Sequence, residues 1–152
     1  MYGLTNEYVE TLGKKICGKH FLGTFPCDIL PECRRKEKFS LIINLSKHNT
    51  NGSHFITIFA DNNIFLFFDP LGNTCRNKDI LNFIHVNRKN RKLKQKFVKI
   101  QSENSIFCGY FCLAFLLNFE TKKSLKYFFN IFNRKNLDRN DNIVVEFIQN
   151  NI

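Results

Sequence analysis

Apolar residues follow two different periods along the chain, and these periods predict where helices and strands lie. Between residues 4 and 16 an apolar residue recurs at every fourth position, which predicts a helix with one buried face that begins after the capping residue Thr5. Three runs rich in Ile and Phe predict strands at 39–45, 54–60 and 64–69. Turn-forming residues, among them 49–52, separate these runs. Because the runs are apolar at almost every position, we expect both faces of the sheet to be covered by helices.

The second half of the chain is predicted to be mainly helical. Amphipathic helices are predicted at 78–87 after the cap Asn77, at 123–132, and at 142–149 after the cap Asp141, with a short strand at 97–101. The segment 108–119 is apolar on all sides, which is typical of a helix in the centre of a core. The chain around 20–26 and the basic run 88–96 are interpreted as irregular.

The order of these elements predicts an α+β fold in a single domain over residues 1–152. Its centre is expected to be a mixed or antiparallel sheet covered by helices, and one helix is expected to lie buried in the middle of the fold.

Composition and charge narrow the class of protein. The 152 residues are 43% apolar, with 18 Phe and no Trp, and carry a formal net charge of +10. This composition excludes a disordered chain, and the charge predicts affinity for polyanions. The sequence has neither an apolar run long enough to span a membrane nor a signal-peptide pattern at its start, so we expect no membrane contact. The six cysteines are therefore expected to be thiols in a reducing compartment.

Cys108 is the candidate nucleophile because it opens the apolar segment 108–119. The dipole of a helix stabilises a thiolate at the helix N-terminus, and a nearby imidazolium lowers the pKa of the thiol further. Gly109 is expected to let a substrate backbone approach. The alternative is a buried cysteine that acts as a small hydrophobic residue, an interpretation that we give to Cys112 one turn later.

A base and an orienting acid for this thiol are predicted at the open end of a hairpin. His54 begins one predicted strand and Asp69 ends the next, and these two positions are neighbours in an antiparallel hairpin. The pair is therefore predicted to form a general base held by a carboxylate. The alternatives are a histidine at a strand edge and an aspartate that forms an Asx turn before Pro70.

Gln101 lies seven residues before Cys108 and is a candidate oxyanion donor. Its side-chain amide and the backbone N–H of Cys108 are expected to stabilise the negative oxygen that forms during acyl transfer. A surface glutamine is the alternative, and the spacing alone leaves both interpretations open.

Four separated segments together resemble the adenovirus maturation protease (adenain), which belongs to a wider clan shared with ubiquitin-like-protein-specific proteases. The segments are 21–25, 52–55, 68–72 and 101–112, with the sequences FLGTF, GSHF, FDPLG and QSENSIFCGYFC. Each segment alone is weak, but their common order makes the combined match specific. The chain also resembles the compact versions of this protease carried by virophages and related large transposons.

The resemblance implies a cysteine endopeptidase with a papain-type arrangement of its site. By position, His54 becomes the general base, Asp69 the residue that orients it, Gln101 the oxyanion donor, and Cys108 both the nucleophile and the second oxyanion contact. The resemblance also implies that the chain, acting as a monomer, cleaves viral capsid and core precursor proteins at Gly-containing sites during virion maturation. The expected location is the virion and the viral assembly site in the cytoplasm or nucleus.

The resemblance implies no cofactor or metal for the chemistry itself, but DNA and a peptide activator are implied as further partners.

The chain departs from the family at two places. Phe55 replaces the tryptophan that usually follows the catalytic histidine. The stretch 88–100 contains no cysteine, so we do not expect the disulfide through which adenain holds its activator peptide. Zinc is not expected from the cysteine spacing, and the sequence assigns no role to Cys17, Cys27, Cys33 and Cys75.

The basic run 88–96 is a candidate nucleic-acid site. Its cationic residues are Arg88, Lys89, Arg91, Lys92, Lys94 and Lys96. Because no aromatic residue interrupts the run, we expect any binding to DNA to act through phosphates and to be independent of sequence. A solvated basic loop is the alternative.

Three functions are therefore compared. The first is a viral maturation protease, and the second is a protease for ubiquitin-like conjugates that uses the same residues. The third is a non-catalytic, basic nucleic-acid-binding protein. The reactivity of the Cys108 thiol separates the third function from the other two, and cleavage of a ubiquitin-like fusion separates the second from the first.

Overall fold

A single mixed sheet of five strands, ordered as in the chain, forms the centre of the fold. The computed structural model describes residues 4–47 and 54–152, so the predicted turn at 49–52 lies outside the described residues. The strands are β1 (Phe21–Pro26), β2 (Phe39–Asn44), β3 (Phe55–Ala60), β4 (Ile64–Phe68) and β5 (Lys92–Gln95). The pairs β1–β2 and β4–β5 are parallel, and the two central pairs are antiparallel.

The helices begin largely where capping residues predict them. They are α1 (Asn6–Cys17), α2 (Lys78–Arg88), α3 (Cys108–Glu120), α4 (Leu125–Asn130) and α5 (Asn140–Asn151), with short 3₁₀ turns at Gly18–His20 and Leu137–Arg139. Thr5 Oγ1 accepts a hydrogen bond from the N–H of Tyr8, and Asn77 Oδ1 accepts one from the N–H of Ile80. These bonds confirm both predicted caps.

The sheet separates two hydrophobic cores, which confirms that both of its faces are covered. Ile42 of β2 and Leu66 of β4 pack into the core that α1, α3 and α5 share, whereas Leu41 and Phe65 pack into the core under α2. This alternation follows from the two-residue period of a strand. The larger core is rich in phenylalanine, and its stacked pair Phe68 and Phe115 has ring centroids 4.4 Å apart. The fold class is therefore the predicted α+β arrangement, with α3 as the buried central helix.

The sequence interpretation is wrong for β1 and β5, the two edge strands of the sheet. The chain around 20–26 was expected to be irregular, but it forms β1, whose pairing register shifts between Phe21 and Thr24. Gly23 in this shift has a φ of 132°, so this glycine marks an irregular strand. The basic run contains β5, whose lysines point to solvent while its backbone pairs with β4. Lysine is common on exposed edge strands because it discourages further pairing.

Three further boundaries differ from the prediction. No strand forms at 97–101, where the N–H groups of Ile100 and Gln101 both donate to the carbonyl of Pro70 instead of to a strand ladder. The helix predicted at 123–132 is shorter, because Ser124 caps α4. The last helix starts at Asn140, so Asp141 lies inside its first turn and is not its cap. None of the helices in residues 4–47 and 54–152 is long and apolar enough to cross a membrane.

Candidate active site

His54 and Asp69 meet at the open end of the β3–β4 hairpin. Their side chains form a hydrogen bond of 2.7 Å between Nε2 of the ring and Oδ1 of the carboxylate. The strands pair Thr57 with Phe68, a register two residues away from a direct His54–Asp69 pair. A shift of two residues keeps both side chains on one face of the sheet, where diagonal neighbours are within reach of each other. The structure therefore brings together the two residues that the hairpin argument predicts to be neighbours.

A tight turn after β4 fixes the carboxylate of Asp69. The same Oδ1 that bonds to His54 accepts the N–H of Leu71 at 2.8 Å, and the backbone carbonyl of Asp69 accepts the N–H of Gly72 at 2.9 Å. Asp69 is buried. The Asx turn and the histidine contact were treated as alternatives, but the structure contains both.

The imidazole of His54 joins Asp69 to Cys108. Because Nε2 is bonded to Asp69, Nδ1 is the ring nitrogen left for the thiol. Burial of the ring lowers the pKa of His54, but hydrogen bonds to the side chains of Asp69 and Cys108, together with their negative charges, outweigh it. The pKa of His54 is therefore raised to about 9. A ring with this pKa is protonated at neutral pH, the state that pairs with a thiolate.

Cys108 is the first residue of α3, where the helix dipole favours negative charge. Phe107, which precedes the helix, has no polar side-chain group, so no side chain caps the start of α3. Burial raises the pKa of several other thiols: Cys17 and Cys33 to about 12, and Cys112 well above its usual range. Cys108 lies beside the ring of His54.

Gln101 is almost fully buried and faces the same cleft as His54 and Cys108. Its Nε2 donates to the carbonyl of Ser105 at 3.0 Å, which fixes the orientation of the amide because the opposite orientation would place two oxygens together. The second N–H of the amide is left for a negative oxygen in the cleft. The surface-glutamine alternative is thus wrong, since the side chain is inside the protein.

A cleft of about 500 Å³ contains the predicted groups. Its wall includes His54, Gln101 and Cys108, while Asp69 lies behind the histidine. The first residues of the described chain, Leu4, Thr5 and Asn6, also line this cleft. The sequence interpretation treated them only as the start of a helix, because nothing in a helix cap indicates what its outer face borders.

Gly109 has a different role from the predicted one. A Cβ atom built on Gly109 would lie 3.1 Å from Cγ2 of Val9 and 3.4 Å from Cβ of Leu4. The missing side chain therefore lets α1 pack closely against the start of α3. This close packing is what brings Leu4 to the edge of the cleft.

All but one of the cationic residues of the basic run are exposed, and the exception is a buried arginine. Lys92, Lys94 and Lys96 are exposed, as are Arg88 and Lys89. Arg91 is buried, and its guanidinium donates to four backbone carbonyls, those of Lys36, Glu37, Asp61 and Asn87. The prediction that Arg91 belongs to the nucleic-acid patch is therefore wrong, because its guanidinium N–H groups already bind backbone carbonyls in the loops around β5. The structure adds Lys122, Lys123 and Lys126, which line one groove with Lys94.

No group of three or more His, Cys, Asp or Glu side chains within residues 4–47 and 54–152 is placed to hold a metal ion. The six cysteines are all free thiols. Cys27 and Cys33, which the sequence left without a role, pack into the core under α2.

The amino-acid sequence of this chain is similar to the sequences of viral proteases. No protein-family model matches the chain. The chain is 25% identical to a protease of Porcine adenovirus A serotype 3 over 131 residues, which are 77% of this chain and 64% of that protein. It is 32% identical to a protease of Bovine adenovirus 2 over 110 residues, which are 64% of this chain and 53% of that protein. The chain thus spans less than two thirds of the length of these relatives.

Solved structures show the same fold in other proteases. The SUMO protease Ulp1, solved with its catalytic cysteine oxidised to a sulfinic acid, has a TM-score of 0.56 at 16% identity over 97% of this chain and 78% of Ulp1. The ASFV protease has a TM-score of 0.56 at 15% identity over 76% of this chain and 44% of that protein. The fold is therefore one that these proteases share. In sequence the chain is similar to the adenovirus proteases, which confirms the predicted resemblance.

Proposed function

We propose that this chain is a cysteine endopeptidase that cleaves viral capsid or core precursor proteins. The observation that carries the proposal is the hydrogen bond that holds His54 on Asp69 in the same cleft as Cys108, the first residue of α3. A thiolate beside an imidazolium is a strong nucleophile at neutral pH. The similarity to adenovirus proteases supports peptide bonds as the substrate.

The first half of the reaction forms an acyl-enzyme. The Cys108 thiolate attacks the carbonyl carbon of the scissile peptide bond, and the carbonyl electron pair moves onto oxygen. The backbone N–H of Cys108 and the amide of Gln101 donate to that oxygen. The His54 imidazolium then gives its proton to the amide nitrogen as the C–N bond breaks, leaving a thioester and a free amine.

The second half of the reaction returns the site to its starting state. Neutral His54 takes a proton from a water molecule, and the hydroxide attacks the thioester carbon in front of the same two donors. The C–S bond breaks, the Cys108 thiolate leaves, and the product is a carboxylic acid. Asp69 keeps the ring in place in both halves, because its bond to Nε2 fixes the plane of the imidazole.

Gly-containing sites are the proposed substrates. Phe55 and Leu71 flank the cleft beside the catalytic pair, and both are bulky side chains. A substrate backbone that must pass between such walls is best accommodated where it carries no Cβ. All four reacting groups come from one chain, so we propose that the monomer is active, in the virion and at the viral assembly site.

DNA is proposed as a second partner, held by exposed lysines and not by the cleft. Lys94 and Lys126 border one groove, and Lys92 and Lys96 extend the same positive surface along β5. These cations would bind phosphates without reading bases. Neither DNA nor a peptide activator enters the chemical steps above.

The test of the proposal is cleavage of candidate capsid precursors, followed by mapping of the new termini. Cys108→Ala should abolish both the cleavage and the rapid alkylation of one thiol by iodoacetamide at neutral pH. Cys75→Ala is the matched control, because it removes a partly exposed thiol that has no histidine partner among the described residues, and it should retain both properties. Undiminished cleavage by Cys108→Ala would refute the assignment.

Two further reactions separate the alternatives. A ubiquitin-like fusion that is cleaved faster than the precursors would favour the deconjugating function. Parallel reactions with and without DNA show whether a polyanion changes the rate. A wild-type chain that binds DNA, cleaves neither substrate and has an ordinary Cys108 thiol would favour the non-catalytic function.

A further inference from the structure

The segment from Ile100 to Phe107 lies outside the regular helices and strands. It contains Gln101, one oxyanion donor, and leads directly into Cys108, which carries the other. Its first residues are held on one side by the turn after Asp69, since the N–H groups of Ile100 and Gln101 donate to the carbonyl of Pro70 at 3.0 Å each. Hydrogen bonds to a single carbonyl cannot orient the whole segment. The contacts at its other side therefore decide where the donors point.

The first two residues of α5 hold both ends of this segment. Asn140 is fully buried, and its Nδ2 donates to the carbonyl of Ile100 at 2.7 Å. Asp141 is half-buried, and its Oδ1 accepts the hydroxyl of Ser105 at 2.6 Å. Ile100 comes directly before Gln101, and Ser105 lies between Gln101 and Cys108, so each bond holds the chain close to an oxyanion donor.

Ser105 connects the carboxylate of Asp141 to each oxyanion donor. Its carbonyl accepts Nε2 of Gln101 at 3.0 Å, and its Oγ accepts the N–H of Phe107 at 3.1 Å. The peptide after Phe107 contains the Cys108 N–H. A movement of Ser105 would therefore displace the side-chain donor and the backbone donor together.

The carboxylate of Asp141 also fixes the direction of the serine hydroxyl. A hydroxyl has one hydrogen and two lone pairs, and a carboxylate is only an acceptor, so the hydrogen of Ser105 must point to Asp141. This leaves a lone pair of Oγ for the N–H of Phe107. A charged acceptor makes such a bond shorter and stronger than a neutral one does.

We propose that Ser105 and Asp141 are positioning residues that orient the oxyanion donors of the cleft. The inference deepens the proposed function and rests on it, because an oxyanion forms only if the chain performs acyl transfer. Neither residue touches the reacting atoms. Their effect is expected on the chemical step and not on substrate affinity or on the reactivity of the thiol.

The test compares Asp141→Ala with Asp141→Asn and with the control Asp138→Ala. Asp138 is an exposed acidic residue three positions earlier, so its removal makes the same change of charge at the same end of α5. Asp141→Ala should lower kcat on the order of 10²-fold with little change in KM, because a small displacement of a donor is costly. Asp141→Asn keeps an acceptor for Ser105 and should retain most of the activity, and Asp138→Ala should match the wild type.

Two additional readouts distinguish positioning from general destabilisation. The rate of Cys108 alkylation by iodoacetamide should be equal in all four proteins, because it depends on the His54–Cys108 pair and not on the oxyanion donors. Amide hydrogen exchange of Phe107 should become faster only in Asp141→Ala. Ser105→Ala should reproduce the Asp141→Ala result, and Ser105→Thr, which keeps the hydroxyl, should not.

The outcomes separate this inference from the proposed function. If the wild type cleaves peptides and Asp141→Ala keeps the kcat of Asp138→Ala, the inference is overturned. It is also overturned if alkylation falls in parallel with kcat, because the variant would then have lost the whole site. A wild type without peptidase activity refutes the proposed function, and with it any catalytic role for Ser105 and Asp141.

Discussion

A single oxygen of Asp69 accepts two hydrogen bonds, one from the ring of His54 and one from the backbone N–H of Leu71. The second bond explains why the first is well placed. A carboxylate on a free side chain could rotate away from the imidazole, whereas this one is fixed by its own turn. The residue that orients the base is therefore itself oriented by the backbone.

The raised pKa of His54 predicts that the stability of the protein depends on pH. The folded pKa is about 9, above the ordinary value near 6.5, so the folded chain binds this proton more tightly than the unfolded chain does. This contribution is fully present below about pH 6.5 and is lost as the pH rises to about 9, with a size on the order of 3 kcal/mol. Urea unfolding at pH 6 and pH 9 should show a lower free energy of unfolding at pH 9.

The variant Asp69→Asn provides the control for this pH dependence. It removes the negative charge that raises the pKa of His54, so the difference between the two pH values should shrink. NMR titration of the ring should show the pKa moving down towards the ordinary value. If wild type and Asp69→Asn have the same pH dependence, the stabilisation does not come from this pair.

The oxyanion role of Gln101 predicts a defect in kcat alone. Gln101→Glu keeps the approximate shape of the side chain but removes its N–H donors, so kcat for peptide cleavage should fall by about 10²–10³-fold. Alkylation of Cys108 should stay close to the wild-type rate. Gln95→Ala, which alters an exposed glutamine of β5, is the control and should leave kcat unchanged. Normal turnover by Gln101→Glu would remove this residue from the mechanism.

At the scale of elements, the turn after β4 links the base to the oxyanion donors. Pro70 in this turn accepts the N–H of Gln101, and Gly72 lies against the backbone of Lys99. Gly72 has a φ of 74°, and a Cβ there would lie 2.7 Å from the nitrogen of Lys99. The turn can therefore approach the Gln101 segment only because this residue is a glycine.

Gly72→Ala is expected to lower both stability and activity. Gly18 is a matched control, because it has a φ of 62° and, apart from its chain neighbours, no described residue lies within 4 Å of an added Cβ. Gly18→Ala should cost only the backbone strain, about 1–2 kcal/mol, as measured by urea unfolding. Gly72→Ala should cost more and should also reduce kcat, since the turn must move. Equal losses of stability with unchanged kcat would show that the close approach is unimportant.

Elements with a strong apolar period were predictable from the sequence, and edge elements were not. Burial dictates the residues of β3 and α3, so their patterns are clear. The strands β1 and β5 form through backbone pairing with a neighbour, and their side chains carry little of that information. The same distinction applies to the candidate site. The hairpin pattern predicts that His54 lies beside Asp69. The hydrogen bond between Ser105 and Asp141 depends on how α5 packs against the rest of the protein, which no local sequence pattern indicates.

At the scale of the whole molecule, the positive charge is distributed separately from the cleft. Lys92 pairs with Ile64 at the start of β4, whereas Asp69 follows the end of that strand. Because the two strands are parallel, Lys92 lies at the end of the sheet away from Asp69, and the lysines that follow it run towards the catalytic end. None of the described residues that line the cleft is Lys or Arg, so DNA held by the lysines of β5 would not need to enter it.

This arrangement predicts that DNA affinity and peptide cleavage can be separated. Replacing Lys92, Lys94 and Lys96 by Gln should weaken binding to duplex DNA and make the salt dependence less steep, by about 0.9 in the log–log slope for each phosphate that is no longer neutralised. The same replacement of Lys14, Lys15 and Lys19, exposed residues at the end of α1 and in the turn after it, removes equal charge and should have a smaller effect. Fluorescence anisotropy of a labelled duplex measures both. Equal weakening by the two variants would mean that only net charge matters.

The phenylalanine beside the catalytic histidine has a practical consequence. The chain has four tyrosines and no tryptophan, so its near-ultraviolet emission comes from tyrosine alone. Phe55 lines the cleft and packs against Gly109, so Phe55→Trp would place the protein's single indole at the mouth of the site. Its emission could follow ligand entry in real time, without an external dye and without interference from a second indole.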